Sequence, residues 1–163
     1  MFPIALPATS CELVGVGKLN SNIATHIFQV SGSRGVDTCL NPPTAGVCEV
    51  TDNFIDINNS TPGSTVTTRD QAVVTQDGSG GPTPTGSVTF TRYTNADCTG
   101  TATVDSCGGT GCALDGTGAA LSTTVNLGAT GLSFKAVYGG DSVYNGSETS
   151  RCEPVCAINS AIP

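Results

Sequence analysis

The side chains best suited to chemistry in this sequence are its eight cysteines, which could bind metal or form disulfides. They are Cys11, Cys39, Cys48, Cys98, Cys107, Cys112, Cys152 and Cys156. Structural zinc sites use matched pairs of cysteines or histidines about two to four residues apart. No Cys-x-x-Cys pair occurs, and the single histidine is His26. An even number of cysteines in a small β-rich chain predicts disulfides, an oxidising compartment and no metal.

Catalytic patterns have little support in the sequence. His26 stands alone in an Ala-Thr-His-Ile-Phe segment that is typical of a strand, where a structural role is the commoner one. The Gly-Val-Gly-Lys segment at residues 15–18 resembles the end of a phosphate-binding loop, but Glu12 and Leu19 replace the required Gly and Ser/Thr. No Gly-x-Ser-x-Gly nucleophile motif is present. The sequence therefore predicts no enzyme and no cofactor.

Charge and hydropathy exclude two classes of partner. The 163 residues carry a net charge of −7 and only six basic residues, which are scattered along the chain. Binding to phosphates needs clustered Lys and Arg, so we expect no nucleic-acid partner. No apolar run of about 20 residues is present, so we expect no membrane span. The apolar start, residues 1–7, is too short for a signal peptide, so we expect either a mature form or export by a segment outside this sequence.

The elements that must position these residues are strands. Apolar and polar residues alternate, and turn-forming Gly, Pro, Asn and Asp separate the alternating segments. The predicted strands are residues 11–18, 23–31, 48–57, 63–68, 71–76, 87–93, 101–105, 119–127, 132–138 and 150–158. In the strand at 119–127 we expect Leu121, Thr123, Val125 and Leu127 on one face. The chain is predicted to be all-β.

Two parts of unequal clarity are expected. Residues 61–158 contain about seven short strands at the spacing of a β-sandwich. Residues 1–60 are predicted to be an N-terminal β-rich extension, and residues 159–163 a C-terminal tail. The Asn-Asn-Ser-Thr-Pro-Gly segment at 58–63 is the predicted boundary.

Residues 60–158 resemble a known family. Residues 84–90 read Pro-Thr-Gly-Ser-Val-Thr-Phe, and residues 134–147 read Phe-Lys-Ala-Val-Tyr-Gly-Gly-Asp-Ser-Val-Tyr-Asn-Gly-Ser, about 50 residues later. Both motifs are similar to those of the prokaryotic Ig-like repeats of surface proteins. The resemblance implies an immunoglobulin-like β-sandwich in an exported protein, acting as a spacer, stalk or adhesive module. The extra cysteines and the single copy of the module depart from that family.

Within this Ig-like framework, four cysteine pairs form a hypothesis. Cys98 and Cys152 flank the family-like core and would join an inner strand region to the last strand. Cys107 and Cys112 would close a Gly-rich loop, and Cys39 with Cys48 a Pro-containing loop. Cys11 and Cys156 remain, and would pair within the chain or between subunits. Eight cysteines allow about 105 connectivities, so other pairings stay open.

The second family motif predicts a tight turn. Gly139 and Gly140 permit positive φ, and Asp141 can accept hydrogen bonds from the amides that follow it. Tyr138 and Tyr144 are expected to anchor the core and the turn. A calcium role for Asp141 is the weaker alternative, since Ca²⁺ takes about six to eight oxygen ligands and few carboxylates are near in sequence. Three asparagines match the N-glycosylation pattern, namely Asn58, Asn59 and Asn145.

The leading functional hypothesis is a structural subunit of an extracellular, cell-surface filament or pilus-like polymer of identical chains. Its apolar N-terminal arm would add a strand to a neighbouring subunit, since open sheet edges accept extended segments. The arm residues are Phe2, Ile4, Leu6, Leu13, Val14 and Val16. Folding of residues 1–60 back onto their own module stays open. The alternative function is an adhesive or glycan-binding Ig-like module of a surface or virion protein.

Overall fold

The structure, a computed structural model, describes residues 17–31, 48–50, 54–56 and 66–158. These residues form strands, turns and bends and no helix. The strands are β1 (Ser21–Ser31), β2 (Cys48–Glu49), β3 (Phe54–Asp56), β4 (Thr67–Gln76), β5 (Ser87–Tyr93), β6 (Ala102–Asp105), β7 (Cys112–Ala113), β8 (Ala119–Leu121), β9 (Val125–Asn126), β10 (Leu132–Tyr138), β11 (Ser147–Glu148) and β12 (Glu153–Ile158). The all-β, disulfide-stapled class predicted from the sequence is confirmed over the described residues.

The strands form two packed sheets. One has five strands in the order β2-β1-β4-β8, with β9 also paired to β4. The other has seven strands in the order β3-β12-β10-β5-β6, with β11 paired to β10 and β7 paired to β5. All pairs are antiparallel except that between β3 and β12, which is parallel.

The two longest strands, β1 and β4, form the backbone of the five-stranded sheet. They pair antiparallel from Ser21 opposite Gln76 to Ser31 opposite Thr67. The sequence predicted two strands at 63–68 and 71–76 because Arg69 and Asp70 interrupt the apolar alternation. That prediction was wrong for residues 67–76, since buried and half-buried positions alternate without a break through Arg69 and Asp70. Tertiary pairing with β1 therefore overrides the local polarity.

Strands β5 and β10 confirm their predicted bounds, Ser87–Tyr93 and Leu132–Tyr138. The predicted strand at 119–127 is instead divided into β8 and β9. The prediction that Leu121 and Leu127 share one face was also wrong, because Leu121 is exposed and Leu127 is buried. In the N-terminal half the buried residues are Ala120 and Ser122. The reason lies in β4: the Asp70 amide donates to Ser122 Oγ, and the Ser122 amide donates to the Asp70 carbonyl. These two bonds turn Ser122 inward.

The core consists of two apolar clusters stacked along the strands. The first includes Val74, Phe90, Ala136 and Tyr138, and the second includes Val66, Leu132, Phe134 and Val155. On β4 the clusters are separated by two fully buried polar residues, Thr68 and Asp70. Along β4, therefore, two polar residues lie between the apolar ones, although the residue paired with Asp70 on β1 is the buried Ile27.

The described chain enters and leaves at opposite ends of the sandwich. Leu19 forms a parallel bridge with Tyr144, beside the first cluster; we call this end the turn pole. β1 then runs toward the second cluster, and β12 runs antiparallel to β10 with Val155 opposite Leu132. Ile158 therefore lies at the other end, which we call the exit pole.

Strands from both sides of the predicted boundary share the two sheets. β1 pairs with β4, and β3 pairs with β12. The boundary near residue 60 lies outside the described residues. Over the residues that the structure describes, no helix is long and apolar enough to cross a membrane.

Candidate functional site

The turn at Gly139–Asp141 is the site that the sequence singled out, and its carboxylate joins three segments. Asp141 Oδ1 accepts from the amides of Val143 and Tyr144, each at 2.7 Å. Asp141 Oδ2 accepts from the amide and the hydroxyl of Thr85 at 2.9 and 2.8 Å. Both carboxylate oxygens therefore accept hydrogen bonds from the protein, so Asp141 has a structural role in holding the turn against Thr85.

The electrostatics of Asp141 agree with this role. Slight desolvation raises its pKa, but hydrogen bonds from Thr85, Tyr144 and Val143 outweigh it and bring the pKa well below the ordinary 3.8. Gly140 has φ +81°, and a Cβ there would lie 2.8 Å from the Tyr144 carbonyl oxygen. The turn thus needs glycine at this position, as its motif indicates.

Tyr138 and Tyr144 are both buried, as predicted for anchors. Tyr138 Oη donates to the Thr85 carbonyl at 2.8 Å, and Tyr144 Oη donates to the Pro82 carbonyl. Burial, together with the charge of Asp141, raises the pKa of Tyr138 to about 12. The two rings tie the turn to the segment preceding β5.

The segment that enters β1 is hydrogen-bonded to this same turn. The Leu19 amide donates to the Val143 carbonyl at 2.9 Å, and the Asn145 amide donates to the Leu19 carbonyl at 2.8 Å. Ser21 Oγ donates to the Asn145 carbonyl at 2.8 Å. The first described residues, Gly17 to Ser21, are therefore held at the turn pole.

Asn145 is the glycosylation candidate that falls within the described chain. Asn145 is exposed, and its Nδ2 donates to Asn20 Oδ1 at 3.2 Å and to the Lys18 carbonyl at 3.4 Å. Asn58 and Asn59 lie outside the described residues. So do the six arm residues, Phe2, Ile4, Leu6, Leu13, Val14 and Val16.

Two disulfides are present, Cys98–Cys152 and Cys107–Cys112. They join the same cysteines that the sequence hypothesis paired. The first connects the segment after β5 to the segment before β12, and so spans β10, which lies between these strands. Cys98 and Cys107 both have positive φ, at 54° and 53°, a backbone conformation that is costly for residues with a side chain.

The other two hypothetical cysteine pairs were Cys11 with Cys156 and Cys39 with Cys48. Cys156 is a free thiol, so the intrachain Cys11–Cys156 pair is not formed. By strand alternation, Cys156 lies on the sheet face opposite buried Val155, and its backbone neighbour in β3 is Phe54. Cys11 and Cys39 lie outside the described residues, and of Cys48 only its place in β2 is described.

One group of potential metal ligands comprises Asp105, Cys107 and Cys112. Its two sulfur atoms are bonded to each other, so they are not thiolate ligands. Asp105 Oδ2 instead accepts from the amide and hydroxyl of Thr123 at 2.6 and 2.7 Å. The group closes the loop after β6 against the other sheet.

Sequence reasoning missed a pair of acids between the sheets. Asp70 on β4 is fully buried, and Glu153 on β12 lies level with Phe134 on the inner face of the opposite sheet. Burial raises the pKa of Asp70 well above its ordinary value, and the charge of Glu153 adds to this. The sequence did contain a signal for it. Every second residue of β4 is buried, namely Thr68, Asp70, Ala72 and Val74, so strand alternation places an acid on the inner face.

A groove of about 330 Å³ opens beside Glu153. β1 forms one wall and the segment leading into β12 forms the other. Its lining is largely polar, with Thr25, Thr149, Ser150 and Arg151 around the opening. His26 follows Thr25 on β1 and pairs with Gln71. Glu153 lines this groove, whereas Asp70 lies behind it and is not exposed.

No protein-family model, no curated protein and no solved structure matches this chain.

Proposed function

We propose that this chain is a structural subunit of an extracellular, cell-surface filament, joined to its neighbour by strand donation from the N-terminal arm. The sandwich is proposed to be immunoglobulin-like, on the motifs at residues 84–90 and 134–147. The cell-surface location is proposed from the disulfides, which persist in oxidising compartments.

The observation that carries the proposal is the polarity of the chain path. The arm departs at the turn pole, where Leu19 bridges Tyr144, while β12 ends at the exit pole. A subunit whose arm leaves at one end can engage a neighbour beyond that end. Repetition of such a head-to-tail contact produces an open filament.

The acceptor that we propose is the outer edge of β6. This strand is the last in the seven-stranded sheet, and Ala102, Thr103 and Val104 are all exposed. Because Ala102 pairs with Tyr93, which is level with Ser133, β6 lies in the half of the sandwich nearer the exit pole. An uncharged edge accepts an extended segment through backbone hydrogen bonds. Gly17, the described residue that follows the arm, and the acceptor strand thus lie toward opposite poles.

Glycan binding by an adhesive module has less support. Sugar sites generally present exposed aromatic rings, and most described aromatic side chains are buried, including Phe28, Phe90 and Tyr144. Among the described aromatic residues, Phe54 is the exposed one.

Electron microscopy of the purified, oxidised full chain tests assembly, with a gel run without heating or reduction as a second readout. We expect filaments and a ladder for the wild type, and monomers for an arm variant carrying Ile4→Ser and Leu6→Ser. Val104→Lys should also reduce assembly, because lysine at an edge opposes strand addition. Val137→Lys is the matched control, since Val137 is exposed but lies on the central strand β10.

If the Val104→Lys variant forms filaments and the arm variant does not, the acceptor is a site other than the outer edge of β6. A wild-type chain that stays monomeric at high concentration would contradict the proposal.

A further inference from the structure

The carboxylate of Asp70 is the least expected group in the core. The residue is 0% exposed, and neither of its carboxylate oxygens accepts a hydrogen bond of normal geometry. The backbone amides of His26 and Gln71 are close enough to favour the ionised form, but burial and Glu153 have a larger, opposite effect. A buried carboxyl group without a partner is costly, so a neutralising group is required.

Among the residues that the structure describes, no positive side chain is a partner of Asp70. None of the groups that shift its pKa is a lysine or an arginine. Arg69 is adjacent in sequence, but strand alternation directs it to the opposite face, where its cross-strand neighbour is Phe28. Arg92 instead acts on Asp105. A proton or a cation from solution would supply the neutralising charge that these described residues do not.

A proton shared between the two acids is the alternative to a cation. A proton held between carboxyl groups brings their oxygens to about 2.5–2.7 Å. Glu153 is near enough for its charge to act on Asp70, and neither Asp70 carboxylate oxygen has a hydrogen-bond partner. An ion coordinated by both groups would hold their oxygens further apart, since calcium–oxygen distances are about 2.3–2.6 Å.

The surrounding oxygens suit a hard cation. Gln29 is 3% exposed and pairs directly with Thr68, which places its amide on the same inner face as Asp70. Carboxylate and amide oxygens are the ligands that Ca²⁺ takes, with water completing the shell. The groove of about 330 Å³ beside Glu153 has room for the waters that would complete the shell.

We propose that Asp70 and Glu153, with the amide oxygen of Gln29, bind one calcium ion between the two sheets. The ion would neutralise two inward-facing carboxylates and join β4 to β12. This site is independent of the proposed assembly, because both acids lie inside one sandwich.

The test is thermal unfolding of the full chain after chelation, with and without 5 mM CaCl₂ at pH 7, supported by calorimetric titration. If the dissociation constant is about 10⁻⁴ M, as in many extracellular modules, the Tm should rise by about 5 °C or more. Calorimetry should give one site per chain. Asp70→Asn should abolish both signals.

Asp77→Asn is the matched control, because it removes the same charge from an exposed position and should keep the full response. If Asp70→Asn does not fold, Glu153→Gln provides the second variant and should weaken binding at least tenfold. An equal calcium response in Asp70→Asn and Asp77→Asn would overturn the proposal. A wild type with no calcium response, but greater stability at pH 5 than at pH 7, would show that a proton neutralises Asp70 and would also overturn it.

Discussion

A single carboxylate holds together the turn at which the chain enters the sandwich. Asp141 receives donors from its own turn and from Thr85, so the loop before β5 and the loop after β10 share one acceptor. The neighbouring segment at Leu19 is bonded to the same turn through Val143 and Asn145. Ionisation of Asp141 therefore matters for the whole turn pole.

We expect acid to weaken this pole. The folded-state pKa of Asp141 is lowered, so its contribution is present above the ordinary value of 3.8 and is lost as the pH falls below that value. Asp141→Asn replaces one accepting oxygen by a donor facing Thr85. Urea denaturation should show the variant less stable than the wild type at pH 7, with a smaller difference at pH 2.5. A constant difference across this range would contradict the ionic role.

At the scale of strands, the two disulfides differ in what they constrain. Cys98–Cys152 closes a loop with a sequence separation of 54, and Cys107–Cys112 one with a separation of 5. Closing a longer loop removes more conformational entropy from the unfolded chain.

Replacing Cys98 and Cys152 by serine should cost about 4 kcal/mol, against about 2 kcal/mol for the same replacement at Cys107 and Cys112. Chemical denaturation of the two double variants measures the difference, with the oxidised wild type as reference. Equal losses would indicate that native-state strain, as at the positive-φ residues Cys98 and Cys107, outweighs loop length.

Local pattern was sufficient for some strands and not for others. β5 and β10 were predicted with their bounds because glycines precede both strands and their apolar residues alternate cleanly. β4 was predicted as two strands, and residues 119–127 as one strand with Leu121 and Leu127 on the same face. Both predictions failed because Asp70 and Ser122 are positioned by hydrogen bonds to each other across the sheet. The acid pair joins residues 83 positions apart, Asp70 and Glu153, so no local spacing reveals it.

The whole molecule is organised along one axis, from Gly17 at the turn pole to Ile158 at the exit pole. A filament pulled at its ends would transmit tension along this axis through each subunit. β1 would then be drawn along its own length against β4, so that the hydrogen bonds of their long ladder are sheared together. Strands sheared in this way resist force far better than strands peeled apart one bond at a time.

Stretching single chains between residues 17 and 158 would test this arrangement. With the disulfides intact, the loop between Cys98 and Cys152 cannot lengthen. Reduction should add about 190 Å to the contour gained on unfolding, at about 3.5 Å for each of the 54 positions released. An unchanged contour length after reduction would contradict the disulfide.

The disulfide across β10 therefore limits how far a subunit can be extended while that bond is intact. An overstretched filament would yield by a short, fixed length at each subunit and then stiffen again. Four strands of the seven-stranded sheet, β6, β7, β10 and β11, would stay within the closed loop and could re-form their pairs when the tension falls.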